Sequence, residues 1–479
     1  GGLPDYDLLY TPLKPAEYSR YAGYAGIQAG TDDDVARAML TQTSLFSLPA
    51  GDVGLAAVVE GGYQAWQYAP AEAFVDGSLS QLYIQPSQGH RTRWATAAEL
   101  SVPLLKTLTL DMSGRYDRYD SAGHIFGAFT YSAGLEFRPV DSLLLRAKYS
   151  TAFKAPTLVD QFQGGSSNQQ YLVDYANCMT VSHSINNCAV NYQNVYATVN
   201  TVSNPALQPI TTRAFSYGLV WSPSANFSLN VDYQQLVIHN EVLTESAGYV
   251  LKVEQQCRDG ILDITSPSCV AALNQVVRAP ATPGSGLLGD ILGVSPTKIN
   301  LAKEFNNSLT AGLNYQLSLH RWGGLALAGA YTLMLKHQRQ TFPGDPTLDL
   351  LNNPVQGQAV EFRSKANASL TWTKGGWSAT FYSVYYGHTP NYLAQTNGYG
   401  TPDAGGLAPW VISNINLSYQ ATRKLKLSFQ VNNLKNSMPP FDATQNPAMN
   451  APYNIGSYNV FGRQFFFEAR YQFGVASTH

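Results

Sequence analysis

The sequence has little charge and no long apolar run. Charged residues make up 13% of its 479 positions, about half the share that is usual for a soluble globular domain. No uninterrupted apolar stretch reaches the ~18 residues that a transmembrane helix needs. The net charge is only −2, so no basic field favours a nucleic-acid partner. These shortages argue against an ordinary soluble domain, a helical membrane protein and a nucleic-acid-binding protein.

Cysteine is also scarce, and its spacing is informative. The four cysteines are Cys178, Cys188, Cys257 and Cys269, two local pairs separated by 10 and 12 positions. We predict two disulfides, Cys178–Cys188 and Cys257–Cys269, formed in an oxidising compartment. A Cys₄ metal site is the less favoured alternative, because neither pair has the tight spacing of structural zinc ligands. No set of histidines has ligand spacing either, and we expect no metal, no cofactor and no enzymatic site.

What the sequence has in abundance is alternation of apolar and polar residues. From Asn226 to Gln234, Phe227, Leu229 and Val231 alternate with polar neighbours, as in a strand whose two faces meet different media. Many segments run longer than the usual strand of about 5–6 residues, and about ten residues let a tilted strand cross a bilayer. Fourteen such strands are predicted, with a weaker one at about 39–47, and they lie near 53–68, 91–103, 106–117, 124–138, 142–153, 212–222, 225–239, 307–319, 325–338, 361–373, 376–388, 411–420, 423–433 and 461–473.

The connections between these strands alternate between short and long. Most of the short ones contain Pro or Gly, as tight turns require. The long ones cover about 69–90, 154–211, 240–306, 339–360, 389–410 and 434–460, with one short exception near 120–123. Long loops on one rim and short turns on the other are typical of an outer-membrane barrel. A soluble β-sandwich would not place nearly all of its excess chain on every second connection.

One strand ends in a motif that resembles a known family. The segment "STAFKAPTLVDQF" is similar to the signature of TonB-dependent outer-membrane receptors, in which a strand ends in aromatic-Arg-Ala-Pro before a long extracellular loop. The match falls on Phe153, Lys154, Ala155 and Pro156, with Lys154 where Arg is more usual. The motif's simplest role is structural, to stop a strand at the barrel rim.

Two further segments carry the same resemblance. The stretch from Asn204 to Pro223 resembles the family's Asn-Pro-x-Leu-x-Pro-Glu segment, although its acidic residue is missing. The last strand resembles the terminal strand that the assembly machinery recognises, and its apolar face carries Phe465, Phe467, Tyr471 and Phe473. The resemblance extends from about residue 39 to 473.

The resemblance implies a fold and a function. The fold is an all-β, antiparallel transmembrane β-barrel in the bacterial outer membrane, with the long loops extracellular and outer-membrane lipids around it. The function is TonB-dependent active import of a scarce or bulky solute, such as a siderophore, a cofactor, an oligosaccharide or a peptide. The alternative is a passive outer-membrane channel or a surface-binding scaffold protein, which would retain the barrel but no longer be gated.

The strand count predicts that other strands take part. About fifteen strands are predicted at 39–473, with residues 1–38 an extracellular loop remnant containing a short helix and 474–479 a C-terminal tail. Barrels of this class have an even number of strands, and large plugged transporters have about 22. We also find no plug domain and no TonB box. The expected partners are therefore a plug-bearing N-terminal half, in the same or a separate chain, and through it the TonB complex.

Tyrosines in the long connections are the candidate ligand contacts. Aromatic rings there can stack on sugars, catechols or peptides. The alternative is that they pack the loops against one another. The candidates are Tyr171, Tyr175, Tyr192, Tyr196, Tyr392, Tyr399, Tyr453 and Tyr458.

Overall fold

A computed structural model gives the arrangement of the chain. It describes residues 25–76, 78, 82–121, 123–183, 188–340, 347–353, 361–391, 405–442 and 453–473. Both ends of the predicted organisation, residues 1–24 and the tail at 474–479, lie outside the described residues. In the described part, fifteen strands form one antiparallel wall in which each strand pairs with the next one along the wall.

The wall strands follow chain order. They are β1 (Ile27–Leu48), β2 (Gly51–Pro70), β4 (Ser87–Leu105), β5 (Leu108–Ser121), β6 (His124–Val140), β7 (Leu143–Lys154), β10 (Ile210–Ser224), β11 (Phe227–Thr244), β14 (Lys298–Ser318), β15 (Gly324–Gln340), β17 (Ser364–Lys374), β18 (Trp377–Tyr386), β21 (Trp410–Gln420), β22 (Leu425–Asn432) and β23 (Gln464–Tyr471).

Shorter elements fill the long connections. The strands are β3 (Leu82–Ile84), β8 (Ser166–Leu172), β9 (Val195–Thr201), β12 (Val276–Arg278), β13 (Ile291–Val294), β16 (Leu348–Asp349), β19 (Thr389–Pro390) and β20 (Gly406–Leu407). The helices are α1 (Glu72–Val75), α2 (Leu158–Phe162), α3 (Tyr175–Ser182), α4 (Val190–Gln193), α5 (Ala247–Arg258) and α6 (Pro267–Gln275), with a 3₁₀ turn at His320–Trp322. Among the described residues, no helix combines the length and the apolar character needed to span a bilayer.

The predicted antiparallel wall and its fifteen strands are confirmed, and one boundary is wrong. Residues 27–38 are not a loop with a short helix, because they form the first half of β1 and pair with β2 from Ile27↔Pro70 onward. The acidic run Asp32–Asp34 lies in this part of β1. The side chain of Asp33 has partners on the next two strands: Gln64 in β2 donates a hydrogen bond of 2.9 Å to it, and Arg93 in β4 lies 3.6 Å from it. Cross-strand pairing has overridden the local signal.

The two faces of the wall differ along its whole width. On the apolar face, ring contacts form two bands at different heights. Near the short turns, Trp377 and Tyr419 stack with centroids 4.4 Å apart. Nearer the long connections, Tyr149 lies 5.9 Å from Tyr131 and 4.6 Å from Phe215. Two aromatic girdles that flank an apolar band are the pattern of a barrel in a membrane.

The terminal strand β23 also has an apolar face that carries aromatic rings. Its apolar-face rings are largely exposed, with 63% of Phe465 and 72% of Phe467 accessible. Just past the strand, Phe473 is 85% exposed, and its ring lies 4.8 Å from that of Tyr471. Such exposure of large apolar side chains fits contact with lipid better than contact with water.

Candidate functional site

The Phe153–Pro156 motif joins the end of β7 to a neighbouring part of the wall. The Phe153 ring lies 5.8 Å from that of Tyr119 in β5. The carbonyl of Pro156 accepts a hydrogen bond of 2.6 Å from Arg91 in β4, and the Arg91 guanidinium also stacks 5.0 Å above the Tyr119 ring. Lys154 is exposed at the strand end. These contacts join the motif to other parts of the wall, and the expectation that it serves only to stop the strand stays a prediction.

The residues after the motif start a helix. Thr157 caps α2 through a capping box with Asp160, in which each side chain accepts a hydrogen bond from the other's backbone N–H. Asp160 is partly buried, which would raise its pKa, but hydrogen bonds from Lys298 and Thr157 hold that pKa below its usual value. The Lys298 Nζ is 2.7 Å from Asp160. Helix α2 is therefore tied to the start of β14.

Helix α2 packs on the polar face of the wall. The Phe162 ring occupies the space above Gly89 in β4, where any Cβ would collide with it. Ser121 donates a hydrogen bond of 2.9 Å to the buried side chain of Gln161. Gly89 and Ser121 alternate along their strands with residues of the apolar face, so both belong to the polar face of the wall. The long connection after β7 therefore folds inward over the polar face.

Three long connections together build a compact unit, which we call the loop module. It consists of residues 82–84, 166–183, 188–201 and 247–294, and its sheet has the order β12-β13-β9-β8-β3. The loop module has a hydrophobic core of its own. Residues from the second and third connections bury one apolar cluster, which includes Leu172, Val199, Val250, Leu251, Ile291 and Val294.

Both disulfides lie in the loop module. The structure joins the two pairs that the spacing predicts: Cys178–Cys188 links α3 to the segment before α4, and Cys257–Cys269 links α5 to α6. All four cysteines are buried, and the second pair belongs to the apolar cluster itself. Each bridge closes a short segment and so restricts the unfolded chain.

A buried ion-pair network crosses the loop module. The guanidinium of Arg278 is 2.8 Å from Asp174 and 2.9 Å from Glu254, and the three side chains are 9%, 2% and 0% exposed. Burial would lower the pKa of Arg278, but its hydrogen bonds to the two carboxylates raise that pKa above its usual value. Arg258 also contacts Glu254, at 3.0 Å, from a more exposed position. The network connects the second and third long connections.

The candidate tyrosines separate into different environments. Tyr171 and Tyr196 face each other across β8 and β9 with ring centroids 5.1 Å apart, and they are 72% and 48% exposed. Tyr175 packs against the apolar cluster, and the backbone carbonyl of Tyr192 accepts a hydrogen bond from Asp174. Tyr453 is half-buried. The predicted contacts Tyr392 and Tyr399 lie outside the described residues.

Tyr458 lies inside a second apolar cluster at the long-connection end. It packs with Phe362, Leu407 and Trp410 and is 4% exposed. Its hydroxyl has no hydrogen-bond partner among the described atoms, and burial raises the pKa of this phenol to about 12. The position of Tyr458 is that of a packing residue rather than of a ligand contact.

The polar face of the wall carries a dense set of charges. Glu60 is only 5% exposed and lies 3.0 Å from Arg37, 2.9 Å from Arg115 and 3.7 Å from Arg93. Arg115 also contacts Asp117 at 2.7 Å. With Asp33, which lies 3.6 Å from Arg93, three guanidinium groups and three carboxylates form one charge-balanced network on this part of the face.

A cavity of about 460 Å³ lies on the neighbouring part of the polar face. Its charged lining includes Glu99, Asp111, Arg146, Lys148 and Asp232. Arg146 is paired with Asp232 at 2.6 Å. Sequence analysis did not single out these groups, although charged residues at the polar positions of alternating strands were the available signal. Among the described residues, no cluster of His, Cys, Asp and Glu could hold a metal ion.

Comparison with known families assigns the chain to a class. The family model for the β-barrel of TonB-dependent receptors ("TonB dependent receptor-like, beta-barrel") matches residues 5–434. The chain belongs to this family, as its strand-end motif indicated. The family consists of outer-membrane receptors. Sequence comparison with curated proteins gives no match.

Solved structures share the fold at low sequence identity. The ferric enterobactin receptor PfeA of Pseudomonas aeruginosa (R480A_Q482A mutant) has a TM-score of 0.59 at 15% identity, over 92% of this chain and 54% of that one. The siderophore receptor PirA of Acinetobacter baumannii has a TM-score of 0.57 at 12% identity, over 93% and 55%. The FpvAI–pyocin S2 complex gives 0.55 at 12% identity, over 93% and 48%. The chain thus spans about half the length of these structures.

Proposed function

We propose that this chain is part of the barrel of a receptor that imports a scarce or bulky solute through the outer membrane with energy from TonB. The long connections are then extracellular and the short turns periplasmic. The observation that supports this most directly is the position of α2 and the loop module at the long-connection end. A passive pore gains nothing from a cored module held by two disulfides, whereas a receptor needs a rigid surface on which to bind solute.

The exposed pair Tyr171 and Tyr196 is the best supported ligand contact. Both rings are accessible, they are held at a fixed separation, and they are carried by strands of a cored sheet. Aromatic faces suit planar or ring-containing solutes, which keeps siderophores, cofactors, oligosaccharides and aromatic peptides as candidate substrate classes. Ferric siderophores are the first class to test, since the solved structures named above include a ferric enterobactin receptor and a siderophore receptor.

We propose that a plug domain binds against the polar face of the wall. The arginines around Glu60 and the mixed charges of the 460 Å³ cavity would meet a folded, polar partner. The partner is a plug-bearing N-terminal part of the receptor, in the same or a separate chain, and it carries the contact to TonB. We infer that this part also supplies the strands that pair with β1 and β23.

The test is uptake in cells with and without TonB. Labelled ferric siderophores, followed by oligosaccharides, are offered to cells that produce the complete receptor. We expect uptake that disappears when TonB is deleted, and that falls when Tyr171 and Tyr196 are both replaced by Ala. Uptake that is equal with and without TonB would favour the alternative, a passive channel. Solute binding without any uptake would favour the surface-binding scaffold.

A further inference from the structure

The sheet of the loop module has a covered face and an open face. Leu172 of β8 and Val199 of β9 are buried in the apolar cluster. Successive side chains of a strand point to opposite faces, so Tyr171 and Tyr196 lie on the other side, where both rings are exposed. We call this second side, which has the apolar cluster behind it, the open face.

Uncharged polar side chains occupy the middle of the open face. Gln169 and Thr198 are cross-strand partners, and the Gln169 amide donates a hydrogen bond of 2.8 Å to the Thr198 hydroxyl. Ser167 and Asn200 form the next pair on the same side. All four side chains are half-buried. Amides and hydroxyls both donate and accept hydrogen bonds, so this strip suits a ligand that does the same.

Aromatic rings lie at both ends of the polar strip. Tyr171 and Tyr196 pair at one end. At the other end, Tyr83 of β3 pairs with Ser167 and is half-buried. Four residues separate Ser167 from Tyr171, which is about 13 Å at a rise of ~3.3 Å per residue. A ligand that contacts both ends is therefore longer than a single ring.

Tyr171 and Tyr196 are too close together to hold a ring between them. Their centroids are 5.1 Å apart, and their planes differ by 50°. A flat solute inserted between two parallel rings needs about 7 Å, twice the ~3.5 Å contact distance of carbon atoms. A ligand therefore lies on the outer surface of the pair. The C–H groups on one side of a sugar ring can pack on an aromatic face in this way.

The open face offers no charge to a ligand. Its positions on β3, β8, β9, β12 and β13 carry only Tyr, Ser, Gln, Thr, Asn, Gly and Val. Arg278 of β12 lies on the covered side, where Asp174 and Glu254 hold it. An anionic solute, such as a ferric complex of catecholates, gains most from cations. A neutral solute rich in hydroxyl groups needs none.

We propose that the open face binds a soluble, neutral oligosaccharide. One sugar ring packs on Tyr171 or Tyr196, and the hydroxyls of the following rings exchange hydrogen bonds with the polar strip, chiefly with Gln169 and Asn200. Tyr83 contacts the far end of the ligand. The oligosaccharide is then the imported solute, a step that rests on the proposed function, whereas binding at the open face does not depend on it.

Binding to the purified complete receptor tests the proposal. The receptor is held in nanodiscs, because detergents with sugar headgroups would compete. Neutral oligosaccharides from starch, cellulose, xylan and mannan are offered, and titration calorimetry gives the Kd of those that bind. Tyr171→Ala and Tyr196→Ala should each raise that Kd about tenfold, because a stacked ring is lost. Tyr171→Phe should change it less than about threefold, because the ring remains.

Two adjacent glutamines on β8 give a matched pair of variants. Gln169→Ala removes an amide of the open face and should raise the Kd about fivefold. Gln170→Ala is the control, because Gln170 is exposed on the opposite side, where it donates to Asn168 at 3.2 Å. Equal changes in the two variants would overturn the proposal, as would no binding of any neutral oligosaccharide. If the Ala variants of the tyrosines do not fold, the Phe variant and the glutamine pair decide.

The failure of this proposal can be distinguished from the failure of the import proposal. Binding of a ferric siderophore in a way that needs Tyr171 and Tyr196, with no binding of oligosaccharide, would overturn the oligosaccharide and leave import intact. Binding of long surface polysaccharides alone would overturn the assignment to a soluble solute. Oligosaccharide binding that depends on Gln169, with uptake that is equal with and without TonB, would support the open face and refute active import.

Discussion

At the scale of single residues, the charges of this protein differ in how far they are buried. Arg278 is almost inaccessible and has two buried carboxylate partners, whereas Arg258 reaches one of the same carboxylates from a side chain that is 37% exposed. A buried pair is strongly destabilised when one partner is removed, because the other charge is then left uncompensated. An exposed pair contributes little.

Arg278→Met should therefore destabilise the loop module by about 3–5 kcal/mol, since it leaves Asp174 and Glu254 buried without a cation. Arg258→Met, which removes the exposed partner of Glu254, should cost no more than about 1 kcal/mol. Hydrogen exchange of the amides in α3 and α5 measures both, with heat-modifiable migration as the check that the barrel has formed. Similar exchange rates in the two variants would show that burial does not determine how much each ion pair contributes to the stability of the loop module.

The difference between these arginines was not readable from the sequence. Arg258 and Arg278 both lie in the same polar, Gly- and Pro-rich connection. What separates them is the contact of Arg278 with Asp174, 104 positions away. The strand-end motif, by contrast, was found from the sequence because Phe153, Lys154, Ala155 and Pro156 are adjacent and sit where an alternating strand stops.

At the scale of elements, the wall strands follow directly from alternation, because each strand meets two media along its whole length. Most strands of the wall could be predicted to within about five residues for that reason, whereas β1 and β14 begin 12 and 9 residues before their predicted starts at 39 and 307. The elements of the loop module could not be predicted, since β8, β9, β12 and β13 are short and their apolar residues pack only against one another. The sequence of the long connection at 154–211 therefore predicts none of its elements.

The two faces of a wall strand should tolerate charge differently. Val231 lies about midway along the lipid-facing side of β11, between the two girdles, and Val231→Arg should cost about 2–4 kcal/mol because it places a cation near mid-bilayer. Gln234→Arg is the control, since Gln234 points to the polar face and lines the 460 Å³ cavity there. The yield of heat-modifiable barrel in outer membranes measures the effect. Equal losses for the two variants would mean that the faces are wrongly assigned.

The loop module should unfold as one unit, separately from the wall. Leu251 is 0% exposed in its apolar cluster, and Leu251→Ala should destabilise the module by about 2–5 kcal/mol. Faster hydrogen exchange is expected in both connections that share the core, at β8–β9 as well as at α5–α6. Val181→Ala is the control at a position that is 48% exposed. Faster exchange confined to α5 would argue against a cooperative module.

At the scale of the whole molecule, the main question is what the two ends of the wall pair with. In the described residues, β1 pairs with β2 and β23 pairs with β22, and no ladder joins β1 to β23. A wall edge in lipid leaves backbone N–H and C=O groups without partners, each at a cost of several kcal/mol. Large plugged transporters have about 22 strands, which would leave about seven strands to be added to the fifteen of this wall.

We therefore predict that β1 and β23 pair with further strands of the complete receptor and not with each other. Cysteines introduced at Ala469 and in turn at Ala36, Ala38 and Leu40, all at lipid-facing positions of β23 and β1, should give no disulfide in the assembled protein. The positive control is Leu427→Cys with Ala469→Cys, because these residues are direct cross-strand partners. Ala469→Cys combined with cysteines along the plug-bearing part should instead give a cross-link to that part. If one of the β1 cysteines forms a disulfide with position 469 as completely as the control pair does, this chain closes its own barrel. The plug-bearing partner would then lose its structural necessity, and the passive channel would become the better proposal.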